Sequence, residues 1–246
     1  MVCRYCGHHS KLIKAHVIPE AFFRRLRAGK SPPILLTNKE DDYPKRSPIG
    51  VYDRNILCRA CEPLFGDWDH YAQALLDIEP RGAVNVIERG QIAGYEVREY
   101  RYDLLKLFFI SILWRASVSG QGFYSKVKLG HFEHIAKDFI ERRDPGTAED
   151  FSVTLAKFDH PLGKTILDPH PEKHEGINYY RFYLGGYIAY IKADKRNASG
   201  LHRDFMMKQG EPLKILKRDM GAGGELSLIH DMLRSSTKFR NSTFKN

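Results

Sequence analysis

The sequence is poor in cysteine, in tryptophan and in long apolar runs. Only four of its 246 residues are cysteine and two are tryptophan. Its longest apolar stretch, Leu107-Phe-Phe-Ile-Ser-Ile-Leu-Trp114, stops at Arg115. A membrane-spanning helix needs roughly 20 such residues, so no span is expected. The chain opens Met-Val-Cys-Arg-Tyr-Cys, with neither the apolar core nor the cleavage pattern of a secretory signal. That predicts a cytoplasmic protein, in which thiols stay reduced and paired cysteines serve metals rather than disulfides. No segment repeats, and no low-complexity tract forms a linker. Acids are also in deficit: 30 Asp and Glu against 39 Lys and Arg leave a net charge of +9. Such a surplus favours polyanions, either nucleic acid or an acidic membrane surface, without choosing between them.

What is present suits a soluble globular α+β protein. With 42% hydrophobic and 28% charged residues, the chain has enough apolar surface to bury and is not of the disordered class. Lys11 to Ile18 predicts a short strand, which Pro19 ends. Glu20 to Arg27 reads as an amphipathic helix closed by Gly29. Asn38 to Pro48 is charged, contains two prolines and reads as a loop. Val51 to Leu57 predicts a second strand, leading into a helix that runs to Ile78. Leu64, Trp68, Tyr71, Leu75 and Ile78 mark the expected buried face of that helix. Further on, helices are expected at Tyr102 to Val118, His131 to Arg142 and Glu225 to Arg234, and a strand at Phe151 to Phe158. Asn178 to Ala193 predicts a hairpin turning at Gly185-Gly186. Pro80-Arg-Gly82 divides the chain into residues 1–79 and an α+β domain of unknown role over 80–246.

All four cysteines fall in the first part, as Cys3-x2-Cys6 and Cys58-x2-Cys61. Two residues between thiolates let both sulfurs reach one tetrahedral ion at about 2.3 Å. Two such pairs complete a four-thiolate zinc site with no other ligand. A turn glycine, Gly7, follows the first pair. The 51 residues between Cys6 and Cys58 are too many for a compact zinc ribbon, so this insertion must carry structure of its own. Within it lies Ala15-His16-Val17-Ile18-Pro19.

Those motifs, continued by Asp53-Arg-Asn55-Ile-Leu-Cys58-x2-Cys61-Glu62, resemble the zinc-containing HNH endonucleases of the His-Me finger, or ββα-metal, group. The resemblance covers about residues 1–78. It implies a zinc-bound treble-clef or ββα-metal module, followed here by a C-terminal domain of mixed helices and antiparallel strands. It also implies hydrolysis of phosphodiester bonds in DNA with one catalytic divalent ion, Mg2+ or Mn2+. The match carries His16 onto the general base and Glu62 onto a ligand of that ion. The middle position of the motif falls on Asp53 or Asn55. Small proteins of this kind serve in defence against phage or mobile DNA, sometimes beside a regulatory partner protein. Neither the partner nor the defence role is visible in the residues themselves.

The chain departs from the family in one place. Ala15 stands where an acidic residue or His usually precedes the base, and Asp53 on the facing strand is the candidate replacement. The competing reading is a catalytically degenerate treble-clef module that binds nucleic acid or a partner protein. Beside the site, Arg24, Arg25, Arg27 and Lys30 form a basic cluster that could hold a nucleic-acid backbone. The aromatic stretch Tyr179-Tyr-Arg-Phe-Tyr183 is expected to be packed core rather than a base-stacking surface.

Overall fold

The computed structural model describes residues 1–24, 26, 34–36, 45–46, 49–158 and 166–219. The helix expected at Glu225 to Arg234 lies outside them. The fold is α+β, and among the described residues no helix is long and apolar enough to cross a membrane.

The N-terminal part is built from very short elements. Strand β1 (Ala15–His16) leads into helix α1 (Glu20–Arg24), which buries Ala21, Phe22 and Phe23. Strands β2 (Ile34–Leu36) and β3 (Lys45–Arg46) follow, so the stretch expected to be a loop contains a strand. Then β4 (Tyr52–Asp53) pairs antiparallel with β1, setting Ala15 opposite Asp53 and His16 opposite Tyr52. Both predicted strands shrink to two residues, because beyond this pairing the contact continues as an isolated bridge, Leu12 to Cys58, with the Ile13 amide donating to the Leu57 carbonyl at 3.0 Å. A 3-10 turn (Glu62–Phe65) with Pro63 in its first positions opens helix α2 (Gly66–Leu75).

That turn corrects the expected helix. It winds more tightly than an α-helix and so shifts the phase of the buried face. Phe65 is buried, whereas Leu64 is exposed and Ile78 lies beyond the end of α2, also exposed.

Helix α3 (Tyr102–Val118) matches its expected bounds. It buries thirteen of seventeen residues, including Phe108, Phe109 and Trp114. It packs against α2, against α4 (Phe132–Arg142) and against the sheet. Its apolar residues surround it on nearly every side, as a helix enclosed by neighbours requires.

A mixed seven-stranded sheet closes the other side. Its strands are β5 (Ala83–Glu88), β6 (Gln91–Val97), β7 (Val153–Phe158), β9 (His170–His174), β10 (Ile177–Leu184), β11 (Tyr187–Lys192) and β12 (Leu213–Arg218). They lie in the order β5-β6-β12-β7-β11-β10-β9, antiparallel except for the β12–β7 pair. The short β8 (Ile166–Leu167) instead extends β2 in parallel, and α5 (Gly200–Phe205) contacts β7. The β10–β11 hairpin turns at Gly185-Gly186 as expected, and Tyr179 to Tyr183 is buried. The β5–β6 hairpin was not legible in the sequence, because β5 is exposed along almost its whole length and shows no alternation.

One cluster of buried side chains runs from Cys3 and Leu12 through Phe65 and Trp68 to α3, then on to Leu155 and Ile215. At its seam the rings of Phe65 and Trp114 stack with centroids 6.2 Å apart, and Tyr5 meets Trp114 edge-on at 5.8 Å. Trp114→Ala removes both contacts. It is expected to lower stability by about 3–5 kcal/mol in denaturant unfolding. A loss below 1 kcal/mol would mean that the seam is not a supporting contact.

Candidate metal centre and adjoining cavity

Two tight turns bring the cysteines together. In the first, the Gly7 amide donates to the Cys3 carbonyl at 2.9 Å and the Cys3 amide to the His8 carbonyl at 3.0 Å. In the second, the Cys61 and Glu62 amides both donate to the Cys58 carbonyl at 3.1 Å. The Cys58 amide points at Cys3 Sγ from 3.4 Å, joining the turns. All four thiols are free of disulfides, and their sulfur atoms lie within 4.8 Å of one another. Burial opposes ionisation of Cys58, but hydrogen bonds from Cys61, Ala60 and Cys3 more than offset it and bring the thiol to about 7. Burial and the shared hydrogen bonds push Cys61 the other way. Four converging soft donors, three of them buried and Cys6 half-buried, can hold a metal ion such as zinc.

Beside this cluster lies a cavity of about 500 Å³ that brings His16, Glu20 and Arg24 together with Glu62, Asp67, Asp69 and His70. His16 Nε2 is 3.0 Å from the Ile49 carbonyl. A carbonyl only accepts, so Nε2 carries the proton and Nδ1 keeps the lone pair. Burial holds the imidazole pKa below its ordinary value, against the opposing pull of Glu20 and of the Ile49 hydrogen bond. Gly50 makes this arrangement possible. It adopts φ +78°, and a Cβ there would meet the Phe23 ring at 2.4 Å.

The remaining predicted residues divide. Glu62 is exposed, lies on the 3-10 turn and lines the His16 cavity. Arg24 lies at the same cavity, in a loose ion pair with Glu20 at 3.8 Å. Arg25, Arg27 and Lys30 lie outside the described residues. Asp53 does not join them, which corrects the idea that it replaces the missing ligand at Ala15. Its register opposite Ala15 turns its side chain to the buried face, away from the His16–Tyr52 face. There its oxygens accept from the Asn55 amide, the Gly120 amide and the Ser119 hydroxyl, each at 2.8 Å. Asn55 lines a separate hollow. Among the described residues, the four cysteines are the one group of three or more metal-type ligands whose donor atoms converge.

The sequence reading missed Arg115. Its guanidinium, 2% exposed, grips Asp69 with two bonds of 2.9 and 2.6 Å and donates to the His16 carbonyl at 3.0 Å. It therefore ties β1, which carries His16, to α2, which follows directly from the turn carrying Glu62. The available signal was a single arginine ending an otherwise apolar helical run.

Purified protein is expected to carry a single tightly held zinc ion per chain, measured by elemental analysis. Cys58→Ser should lower that content, and an unchanged stoichiometry would remove the thiols from metal binding. Comparison with protein-family models, curated proteins and solved structures finds no match.

Proposed function

We propose that the N-terminal part is a zinc-stabilised HNH-like module of the treble-clef or ββα-metal type, acting as a metal-dependent endonuclease on DNA. The observation that carries this reading is the shared cavity. His16 and Glu62, far apart in the sequence, line one hollow beside the four-cysteine cluster.

The chemistry follows from the residues. His16, kept neutral by burial and with Nε2 committed to Ile49, offers Nδ1 as a base. It takes a proton from a water molecule, whose oxygen bonds to phosphorus as the ester P–O bond breaks. Glu62 and Asp67, which line the same cavity, would supply the oxygen ligands that a hard ion such as Mg2+ or Mn2+ prefers. Such an ion would neutralise charge on the phosphate and the leaving oxygen. Arg115 holds the His16 backbone, and the basic surplus of the chain favours a polyanionic substrate. Action in the cytoplasm belongs to the same proposal, and so does defence against phage or mobile DNA with a regulatory partner protein, which rests on the family resemblance alone.

A second reading, a treble-clef module that binds nucleic acid or a partner without cutting, draws on one observation. Ala15 offers no ligand, and Asp53 spends its carboxylate on the fold. Plasmid nicking with Mg2+ or Mn2+ separates the two. His16→Ala is expected to lower the rate by about 10²-fold or more while zinc content is retained. Equal rates in both proteins would exclude His16 as the base, and no cutting by the wild type would favour the binding module.

The pH profile is a further check. A base with a depressed pKa stays neutral to lower pH, so cleavage should persist below pH ~6.5, the ordinary imidazole value, and fall only as His16 protonates. An acid limb centred above that value would contradict the assignment.

A further inference from the structure

A second hollow, of about 400 Å³, is lined by Gly50, Val51, Tyr52, Arg54, Asn55 and Gln121, and Tyr52 is the cross-strand partner of His16. We propose that this hollow is a nucleotide pocket that takes one unpaired base beside the scissile phosphate, so that the substrate is single-stranded DNA. The proposal rests on the nuclease reading above and names its substrate class.

Four observations carry it. First, the antiparallel register sets His16 directly opposite Tyr52, so both side chains share one face, with ring centroids 6.0 Å apart. A base held at Tyr52 would put its own backbone within reach of the imidazole. Second, Tyr52 is surrounded by positive charge. The Lys14 ammonium lies 3.9 Å from the ring centroid and the Arg54 guanidinium 5.9 Å from it. Lys14 covers the ring while Tyr52 also borders the hollow, which is the combination of aromatic platform and cations that single-strand binders use.

Third, two carboxamides border the same hollow, Asn55 and Gln121, and neither side chain is engaged by any described residue. A carboxamide presents a donor and an acceptor side by side and can pair with the edge of a base. Fourth, the buried Asp53 fixes both. One of its oxygens accepts the Asn55 amide at 2.8 Å. The other accepts the Ser119 hydroxyl and the Gly120 amide, and Ser119 Oγ in turn accepts the Gln121 amide at 3.2 Å. A carboxylate removed from the metal site is thus the anchor for the two walls of the hollow. A duplex keeps its bases stacked on one another and cannot offer one to Tyr52 without extruding it, so the pocket selects unpaired strands.

The test is binding of a short fluorescent oligodeoxynucleotide, single-stranded or as its duplex, to the full chain without added Mg2+ or Mn2+. A second probe strand carries 2-aminopurine, whose emission is quenched when it stacks. The wild type should prefer the single strand and quench the probe. Tyr52→Ala should weaken single-strand binding on the order of 10-fold and abolish the quench. Tyr52→Phe, which keeps the ring, should retain both. Arg54→Ala should leave the quench and reduce the salt slope by about 0.7. Tyr52→Ala binding and quenching like the wild type, or a wild type that prefers duplex, overturns the pocket. Cleavage is read separately with Mg2+. Binding and quench without cutting leave the pocket standing and remove the nuclease. Cutting of duplex unaffected by Tyr52→Ala removes the pocket and leaves the nuclease. Failure to bind any DNA overturns both.

Discussion

Two pairs of cysteines separated by 51 residues meet so that four sulfurs share one small volume, and the rest of the N-terminal part is arranged around that closure. Joining Cys3 and Cys6 to Cys58 and Cys61 ties the intervening chain into a loop whose ends are fixed. The entropy of closing a loop of this length must be offset, and buried residues within it such as Val17, Phe22, Phe23 and Ile56 contribute to that. A structural metal would add to this in a region whose strands are only two or three residues long. With the ends fixed, β1 and β4 are brought side by side, and two residues of pairing suffice to orient His16 and Tyr52. The turn after Cys61 then presents Glu62 at the cavity that His16 enters.

The polar groups buried behind this arrangement hold it from the other side. Arg115 and Asp53 are both withdrawn from solvent, and each is satisfied by several partners. Breaking such a group by removing one partner is costly, because the other is left buried without compensation. Both reach across to segments distant in sequence, Arg115 to Asp69 and His16, Asp53 to Ser119 and Gly120. They act as spacers that set how β1, β4, α2 and the segment after α3 sit against one another.

Much of this could be read from the chain, and the failures that touch the site have a common cause. The cysteine spacing announced the four-sulfur cluster because two C-x2-C pairs are a local pattern with a geometric meaning. Helix α3 and the Gly185-Gly186 hairpin were legible for the same reason: an apolar run stopped by charge, and two residues suited to a tight turn. What the sequence concealed depends on partners far away. β12 pairs antiparallel with β6 and parallel with β7, a placement no local pattern encodes. Asp53 looked like a metal ligand because its residue type and motif position allowed it. Only the cross-strand register, with Ala15 and Asp53 buried and His16 and Tyr52 half-buried, shows that it faces inward. Arg115 was visible merely as the end of an apolar run, since its partners lie on two other elements.

The seam between Phe65 and Trp114 bears on how such a chain can be inherited. A module whose inner wall is a ring stack with a helix from the following segment is not freely portable. Transplanted alone into another protein, the first 79 residues would carry a bare aromatic surface in search of a substitute for α3. An exchange of the N-terminal part would therefore have to bring α3 with it or supply another apolar cover for Phe65, which couples the two parts of the chain in any change of sequence.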